Sequence, residues 1–313
     1  MKPLRIGTRG SALALWQANH LRDALAKSFG IESEIVIVKT SGDRFAGAPV
    51  EQIGIRGIFT KELEDALIED RADVAVHSMK DVPTEFSPSC KIAIVFPRED
   101  PRDALVSQRG ESLNKLPQRA RIGTSSLRRA SQLRKFRSDF EIVEVRGNVD
   151  TRLRKVANGE VDAMVLAKAG LDRLNASNRI TEILPPEIML PAVGQGALGM
   201  EFLASREANF SFVSKLVDGP TSLAVSAERT VLANLQGGCR LPLGAWGRFE
   251  RSELILDACV LSADGTENVR RGGSAACTSV NEAEALGRQV TKNLLDAGAS
   301  RILELAGRSV GHT

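Results

Sequence analysis

The sequence has no apolar run approaching the roughly 18 residues that a bilayer span requires, and its start, MKPLRIGTRG, has no signal-peptide core. A cytoplasmic protein without a membrane partner is the expectation. Cysteine is scarce and scattered: Cys90, Cys239, Cys259 and Cys277 form no C-x-x-C pair, and the histidines are His20, His77 and His312. That distribution argues against a structural zinc site, any other metal centre or a disulfide framework. Low-complexity tracts and single-sign charge blocks are missing, which argues against disorder. The 42 basic and 39 acidic residues are too balanced for a general nucleic-acid surface. Any anion site has to come from local clustering.

What is present is an ordinary globular composition, 42% hydrophobic and 26% charged. With 313 residues, the chain exceeds what one core usually serves, so two or three domains are expected. Leu4–Thr8 reads as a strand, followed by Arg9-Gly10-Ser11 and an amphipathic helix over Ala12–Phe29. A strand at 35–38, a Gly-, Asp- and Pro-rich loop at 40–57 and a helix at 58–69 follow. The next buried strand, 73–78, ends at Met79-Lys80-Asp81-Val82-Pro83, where proline forbids simple continuation. Arg121-Ile122-Gly123-Thr124 repeats Arg5-Ile6-Gly7-Thr8 ahead of a second helical run, and 161–167 resembles 73–78. Two similarly built α/β lobes are suggested. After a breaker-rich crossover at 185–196 come a strand at 197–202 and a helix at 207–217. Gly219-Pro220 marks a boundary; helix 222–235, strands near 243–249, 253–261 and 268–272, and a final helical region suggest a separate α+β domain.

Several clusters could carry chemistry. Gly123-Thr124-Ser125-Ser126-Leu127-Arg128-Arg129 places hydroxyls and arginines at a helix start, where free N–H groups and the helix dipole attract anions. The bland alternative is an N-cap and a solvated face. Arg9, Arg146, Arg152 and Arg173 stand at comparable β-to-loop positions and could converge on one polycarboxylate; singly, each reads as a surface arginine. Asp81 could cap a turn or stabilise a cation developing in a cleft. Cys239 lies between Gly237-Gly238 and Arg240, so it reads either as an accessible thiolate or as a small buried cysteine.

HSMKDVP at 77–83, GTSSLRR at 123–129, RGNVDTRL at 146–153, PAVGQGA at 191–197 and GGCRLP at 237–242 together resemble the porphobilinogen deaminase (hydroxymethylbilane synthase) family, essentially end to end. The resemblance implies two periplasmic-binding-protein-like lobes with mixed sheets plus a smaller α+β C-terminal domain. The implied domains are 1–98 with 197–218, then 99–196, then 219–313. It also implies a dipyrromethane cofactor on a cysteine thioether, which GGCRLP places at Cys239, and condensation of four porphobilinogens with release of ammonia. The family's functional residues then correspond to Asp81 for catalysis and to Lys80, Asp81 again, Thr124, Ser125, Ser126, Arg128, Arg129 and Arg146 around the cofactor. Arg9, Ser11, Gln17, Arg152 and Arg173 correspond to substrate binding, with Arg146 again. The 40–57 loop resembles the family's lid, for which Arg56 and Phe59 are the candidates; Gln52 and Arg56 stand where relatives often carry lysine. A monomer acting on a small molecule, with no nucleic-acid partner, is implied. The rival classes are a non-enzymatic anion-binding protein, as the first two lobes alone would suggest, and a cysteine-dependent transferase or hydrolase, which lacks a suitably spaced histidine.

Overall fold

The computed structural model describes residues 2–40, 60–235 and 241–310. Gln52, Arg56, Phe59 and Cys239 lie outside the described residues, with most of the 40–57 loop. The chain divides into two compact units, Met1–Arg98 with Gly196–Ser222, and Glu99–Gln195 with Leu223–Thr313.

The first unit is an α/β lobe. Its strands are β1 (Leu4–Thr8), β2 (Ser33–Ile37), β3 (Val74–Ser78), β4 (Cys90–Val95) and the returning β10 (Leu198–Leu203). They form one mixed sheet in the order β2-β1-β3-β10-β4, with β1 parallel to β2 and β3, and β10 antiparallel to β3 and β4. Helix α1 (Ala12–Phe29) begins where the Ser11 hydroxyl accepts the Ala14 N–H and ends at Gly30, whose φ of 63° suits the left-handed cap. The period-two alternation of β3 serves both faces: Val74 and Val76 pack with Ile6, Leu21 and Leu25 on the α1 side. Ala75 packs with Leu63 and Leu67 of α2 (Lys61–Ile68) on the other.

In the second unit, β5 (Asp103–Ser107), β6 (Arg121–Gly123), β7 (Glu141–Val143), β8 (Ala163–Ala167) and β9 (Glu182–Ile183) form a sheet of order β7-β6-β8-β5-β9. Here β6 is parallel to β7 and β8, and β5 is antiparallel to β8. Helix α3 (Leu127–Phe136) buries Leu133 against Ile122 and Val165. Helix α4 (Val149–Ala157) buries Leu153 and Val156 against Val106, Met164 and Leu166 on the opposite face. Helix α5 (Lys168–Arg173) follows β8 directly.

The same unit contains an antiparallel sheet of β11 (Leu243–Glu250), β12 (Glu253–Leu261) and β13 (Asn268–Ala275). Helices Gly219–Asn234 and Val280–Asp296 contribute Ala227, Val231, Val290 and Leu294 to a core with Leu254 and Leu256. The second helix opens with a capping box between Ser279 and Glu282. The architecture is thus α/β with mixed sheets and an α+β C-terminal region.

The expected helix at 207–217 does not form. A 3₁₀ stretch over Ala204–Phe210 and a single-turn helix, Val213–Leu216, take its place. Phe210, Val213 and Leu216 are all buried at a spacing of three, which tight winding keeps on one side. The Ser214 hydroxyl also donates to Ser211 O at 2.9 Å, a local bond that competes with a regular helix. The helix expected from 222 begins earlier, at Gly219, because Asp218 Oδ1 accepts the Thr221 N–H at 2.9 Å and Pro220 suits a first turn.

Candidate active site

The described candidates come from segments leaving the carboxyl ends of parallel strands, the rim where open α/β sheets bind ligands. In the first unit, β1 feeds Arg9, Ser11 and, on α1, Gln17, while its neighbour β3 feeds Lys80 and Asp81. Lys80 and Asp81 occupy a 3₁₀ turn, Met79–Asp81, rather than an open loop. Two features seat that turn: Met79 donates its N–H to Ala197 O at 3.0 Å, and its side chain lies against Gly199. A Cβ at residue 199 would collide with Met79 Sδ and approach Ile92 Cγ2 to 2.9 Å, so any larger residue there would displace the Met79 side chain from its seat. Asp81 is exposed, Lys80 half-buried and Gln17 buried.

Behind this turn lies a buried polar cluster that the sequence reading did not single out. His77 Nε2 and Glu201 Oε2 are 2.7 Å apart, on adjacent strands β3 and β10. Burial, reinforced by the Glu201 carboxylate, pushes the Glu64 carboxyl up. Burial and then the Glu201 and Glu64 charges push the Cys90 thiol up to about 12, so Cys90 is protonated at neutral pH. Among the described residues no group of three or more His, Cys, Asp or Glu could hold a metal ion.

In the second unit, β7, β6 and β8 are neighbours and point the same way, so their outgoing segments share a rim. The β6 segment carries Thr124, Ser125, Ser126, Arg128 and Arg129. Thr124 Oγ1 accepts the Ser126 N–H at 3.1 Å, and the Ser126 side chain caps α3 by accepting the Arg129 N–H. Gly123 is packed so closely that a Cβ would stand 2.7 Å from Met164 Cε and 3.0 Å from Val145 Cγ2. The β7 segment carries Arg146, and the Asn148 side chain caps α4 by accepting the Thr151 N–H, which puts Arg152 in the first turn. Arg173 ends α5.

The arginines are not simply displayed to solvent. Arg128 and Arg129 are 5% and 6% exposed and share the carboxylate of Asp103, which is 0% exposed at the start of β5. Arg128 Nη1 donates to Asp103 Oδ2 at 2.6 Å and to Leu190 O at 2.7 Å. Arg129 donates from Nε and Nη2 to Asp103 Oδ1 at 3.1 and 2.7 Å, and Gln195 Nε2 adds a third bond to that oxygen at 3.0 Å. Burial pushes the Asp103 carboxyl up, but the charges of Arg128 and Arg129 and their hydrogen bonds outweigh it and hold the group well below the usual carboxylate range. Burial lowers Arg129 and Arg173, opposed by Asp103 and Glu99 respectively. Arg173 pairs with Glu99 at 3.2 Å and Arg146 with Glu144 at 2.7 Å. Asp103, Glu99 and Glu144 were absent from the sequence-derived set. Asp103 had one available signal, an acidic residue that ends a charged stretch and opens the apolar run Ala104-Leu105-Val106.

An exposed carboxylate follows a strand of the first unit, and clustered arginines with a capped helix start follow the strands of the second, in an α/β protein. The family comparison makes that class specific. Residues 4–210 match the model described as "Porphobilinogen deaminase, dipyromethane cofactor binding domain", and residues 222–296 match "Porphobilinogen deaminase, C-terminal domain". The chain therefore belongs to the porphobilinogen deaminase family. It is 47% identical to the porphobilinogen deaminase of Chlorobium luteolum over 96% of this chain and 97% of that protein. It is 42% identical to the one from Helicobacter hepaticus, over 98% and 96%. Among solved structures, the chain resembles the extracellular-binding protein of a probable amino-acid ABC transporter from Bacillus subtilis. The TM-score is 0.43 and the identity 12%, covering 69% of this chain and 90% of that one.

Proposed function

We propose that this chain divides its reaction between a carboxylate on the rim of the first lobe and a cationic rim on the second. The chain is a transferase of tetrapyrrole biosynthesis that deaminates four porphobilinogens and condenses them head to tail into hydroxymethylbilane. Its cofactor is dipyrromethane.

Pyrroles bearing acetate and propionate groups need cationic and hydroxyl donors, and the second-lobe rim has that chemistry: two buried arginines, a capped helix start and further arginines beside it. Thr124, Ser125, Ser126, Arg128, Arg129 and Arg146, with Lys80, would hold the dipyrromethane, and Cys239 would anchor it. When bound, the dipyrromethane supplies the nucleophilic pyrrole carbon at which the product grows. Arg9, Ser11, Gln17, Arg146, Arg152 and Arg173 would neutralise the carboxylates of incoming porphobilinogen and of the lengthening chain. Arg56 and Phe59 remain candidates for a covering role.

Asp81 carries the reading. It is an exposed carboxylate on a turn held by backbone and packing contacts. There it would accept pyrrole N–H bonds, stabilise the positive charge left as ammonia departs and take up the proton released on condensation. We extend the proposal to three domains, 1–98 with 197–218, 99–196 and 219–313, in a monomeric cytoplasmic enzyme, for which sedimentation at working concentration is the check on assembly.

Intact-mass spectrometry tests the whole reading. The purified chain should carry a covalent dipyrrole on Cys239, and Cys239→Ser should lack it and lose turnover, because the hydroxyl is a far weaker nucleophile than a thiolate. Full activity of Cys239→Ser with nothing attached at residue 239 would reject the anchor.

A further inference from the structure

We infer that Asp103 is a positioning residue for the polyanion site: it holds Arg128 and Arg129 in register by occupying a defined subset of their N–H groups and leaves the rest for ligand carboxylates. The inference rests on the functional reading above and deepens it. A guanidinium offers five donors in a rigid fork. Arg128 commits Nη1 to Asp103 Oδ2 and Leu190 O, which leaves Nε and Nη2. Arg129 commits Nε and one Nη2 proton to Asp103 Oδ1, which leaves Nη1 and the second Nη2 proton. One buried carboxylate thus divides two adjacent arginines into a structural half and a ligand half.

Charge dictates the arrangement. Two guanidiniums side by side and nearly fully buried repel each other, and each carries a desolvation cost unless a counter-charge is present. Asp103 supplies that charge while leaving the trio with a net positive charge, which is what an anionic ligand requires. The carboxylate is itself fixed from three sides. Its residue opens β5 opposite Ala167 of β8, its main-chain O accepts the Leu184 N–H at 2.9 Å, and Gln195 holds Oδ1 while also donating to Pro101 O at 2.6 Å. Gln132 completes the frame by accepting the Leu190 N–H at 2.7 Å, fixing the carbonyl that Arg128 shares. The donor directions offered to a ligand are therefore set by residues that need not touch it.

Two simple alternatives make opposite forecasts. Were Asp103 only a brake on positive charge, Asp103→Asn would bind the polyanion more tightly. Were it only structural, the variant would lose thermal stability with cofactor loading and KM unchanged.

The experiment uses full-length protein, with intact mass for dipyrromethane occupancy, steady-state kinetics on porphobilinogen and thermal melting in parallel. Asp103→Asn should show reduced occupancy, and its loaded fraction should show KM raised about ten- to a hundredfold, with kcat changed far less, the scale of one misdirected charge-assisted bond. Asp103→Glu, which keeps the charge at the expense of one added methylene, should recover part of both. In an Arg129→Leu background, Asp103→Asn should add less than about threefold to KM, because residues acting through one another are not additive. Wild-type occupancy and KM in Asp103→Asn, a lowered KM, or the same factor in both backgrounds overturns the inference. Should Asp103→Asn fail to fold, Gln195→Leu decides: it keeps the carboxylate but frees one side of it, and an unchanged KM then overturns the inference. A wild-type protein lacking both covalent dipyrrole and turnover would overturn the functional reading and this inference together, whereas a loaded, active wild type beside an unaffected Asp103→Asn would reject the inference alone.

Discussion

In the first α/β lobe, Arg5 donates its main-chain N–H to Asp73 Oδ2 at 2.9 Å, Nε to the same oxygen at 3.0 Å and Nη2 to Oδ1 at 2.8 Å. In the second, Arg121 repeats every contact with Asp162, at 2.7, 3.3 and 3.1 Å. The backbone bonds repeat as well, Asp73 N–H to Arg5 O and Asp162 N–H to Arg121 O, both at 2.9 Å. Each lobe also flanks its three parallel strands with one antiparallel partner, β10 or β5. At the opposite ends of these same strands the likeness stops. Strand β3 runs into Lys80 and the exposed Asp81, whereas β8 runs into Lys168 and Ala169; Thr8 leads to a single arginine, Arg9, whereas Thr124 leads to two arginines locked on Asp103. A frame held by one kind of clamp leaves its far rim free to differ, and the proposed function assigns a carboxylate for chemistry to one lobe and cations for binding to the other.

The sharpest break of this contrast is removal of the carboxylate. Asp81→Asn keeps size and one acceptor oxygen but loses the charge, and the condensation rate in single turnovers on loaded enzyme should fall about 10²–10³-fold. Asp81→Glu should retain more. Loading the cofactor first separates this chemical step from cofactor assembly. A wild-type rate for loaded Asp81→Asn would remove the first lobe's distinction.

The cationic rim should respond differently. Arg129→Leu should reduce cofactor occupancy or elongation by roughly tenfold or more, and Arg146→Leu by less, since Arg146 is half-buried and its charge is shared with the exposed Glu144. Far-ultraviolet circular dichroism should change little in either. Equal, undiminished loading in both would mean that the second rim does not bind the polyanion.

Acid offers a test between the lobes on smaller effects. The folded Asp103 carboxyl lies below its unfolded value, so its stabilisation is present above the ordinary carboxylate pKa and is lost as pH falls toward the folded value. Glu64 is shifted upward, so its contribution has the opposite sign: present at low pH and lost as pH rises through its folded value. Hydrogen exchange at about pH 3, below the unfolded carboxylate pKa, should therefore show lost protection around β5 and α3 before β3 and α2. Loss in the reverse order would contradict the assignment.

Periodicity and punctuation made much of this legible. The strand and helix over Leu4–Thr8 and Ala12–Phe29 form where their alternation and the Ser11 cap place them. The Arg-Ile-Gly-Thr echo marks β1 and β6, each the middle one of its lobe's three parallel strands. The rim positions of Arg9, Lys80, Asp81, Arg128 and Arg146 follow from reading strand before loop. What stayed hidden depends on contacts far apart in the chain: Asp103 is 25 residues from Arg128, and Glu201 is 124 from His77, and no local pattern joins such pairs. The 207–217 segment misled because an apolar spacing of three fits an α-helix pattern as readily as a 3₁₀ one.

The smallest effect concerns the repeated clamp. Although the two arginines make matching contacts with their partners, their surroundings differ. Arg206 stands 2.8 Å from Asp70 and 3.6 Å from Asp73, so in Arg5→Leu the first lobe's aspartates keep a cation beside them. Arg5 Nη1 donates to one carbonyl of the turn before β3, Asp70 O, whereas Arg121 donates to two, Gly159 O and Glu160 O at 2.9 and 3.0 Å, so Arg121→Leu removes more contacts to the turn before β8 besides the ion pair. The main-chain N–H to aspartate survives in both variants, and both pairs are partly exposed, so solvent screening keeps the effects modest. Melting temperature should drop by about 2–4 °C at most, more for Arg121→Leu than for Arg5→Leu. Cofactor loading and KM should stay at wild-type values in both, because the clamps lie at the strand ends away from the functional rims. A loss of loading in Arg121→Leu without a matching drop in melting temperature would show that frame and rim are coupled, and the division of labour between them would fail.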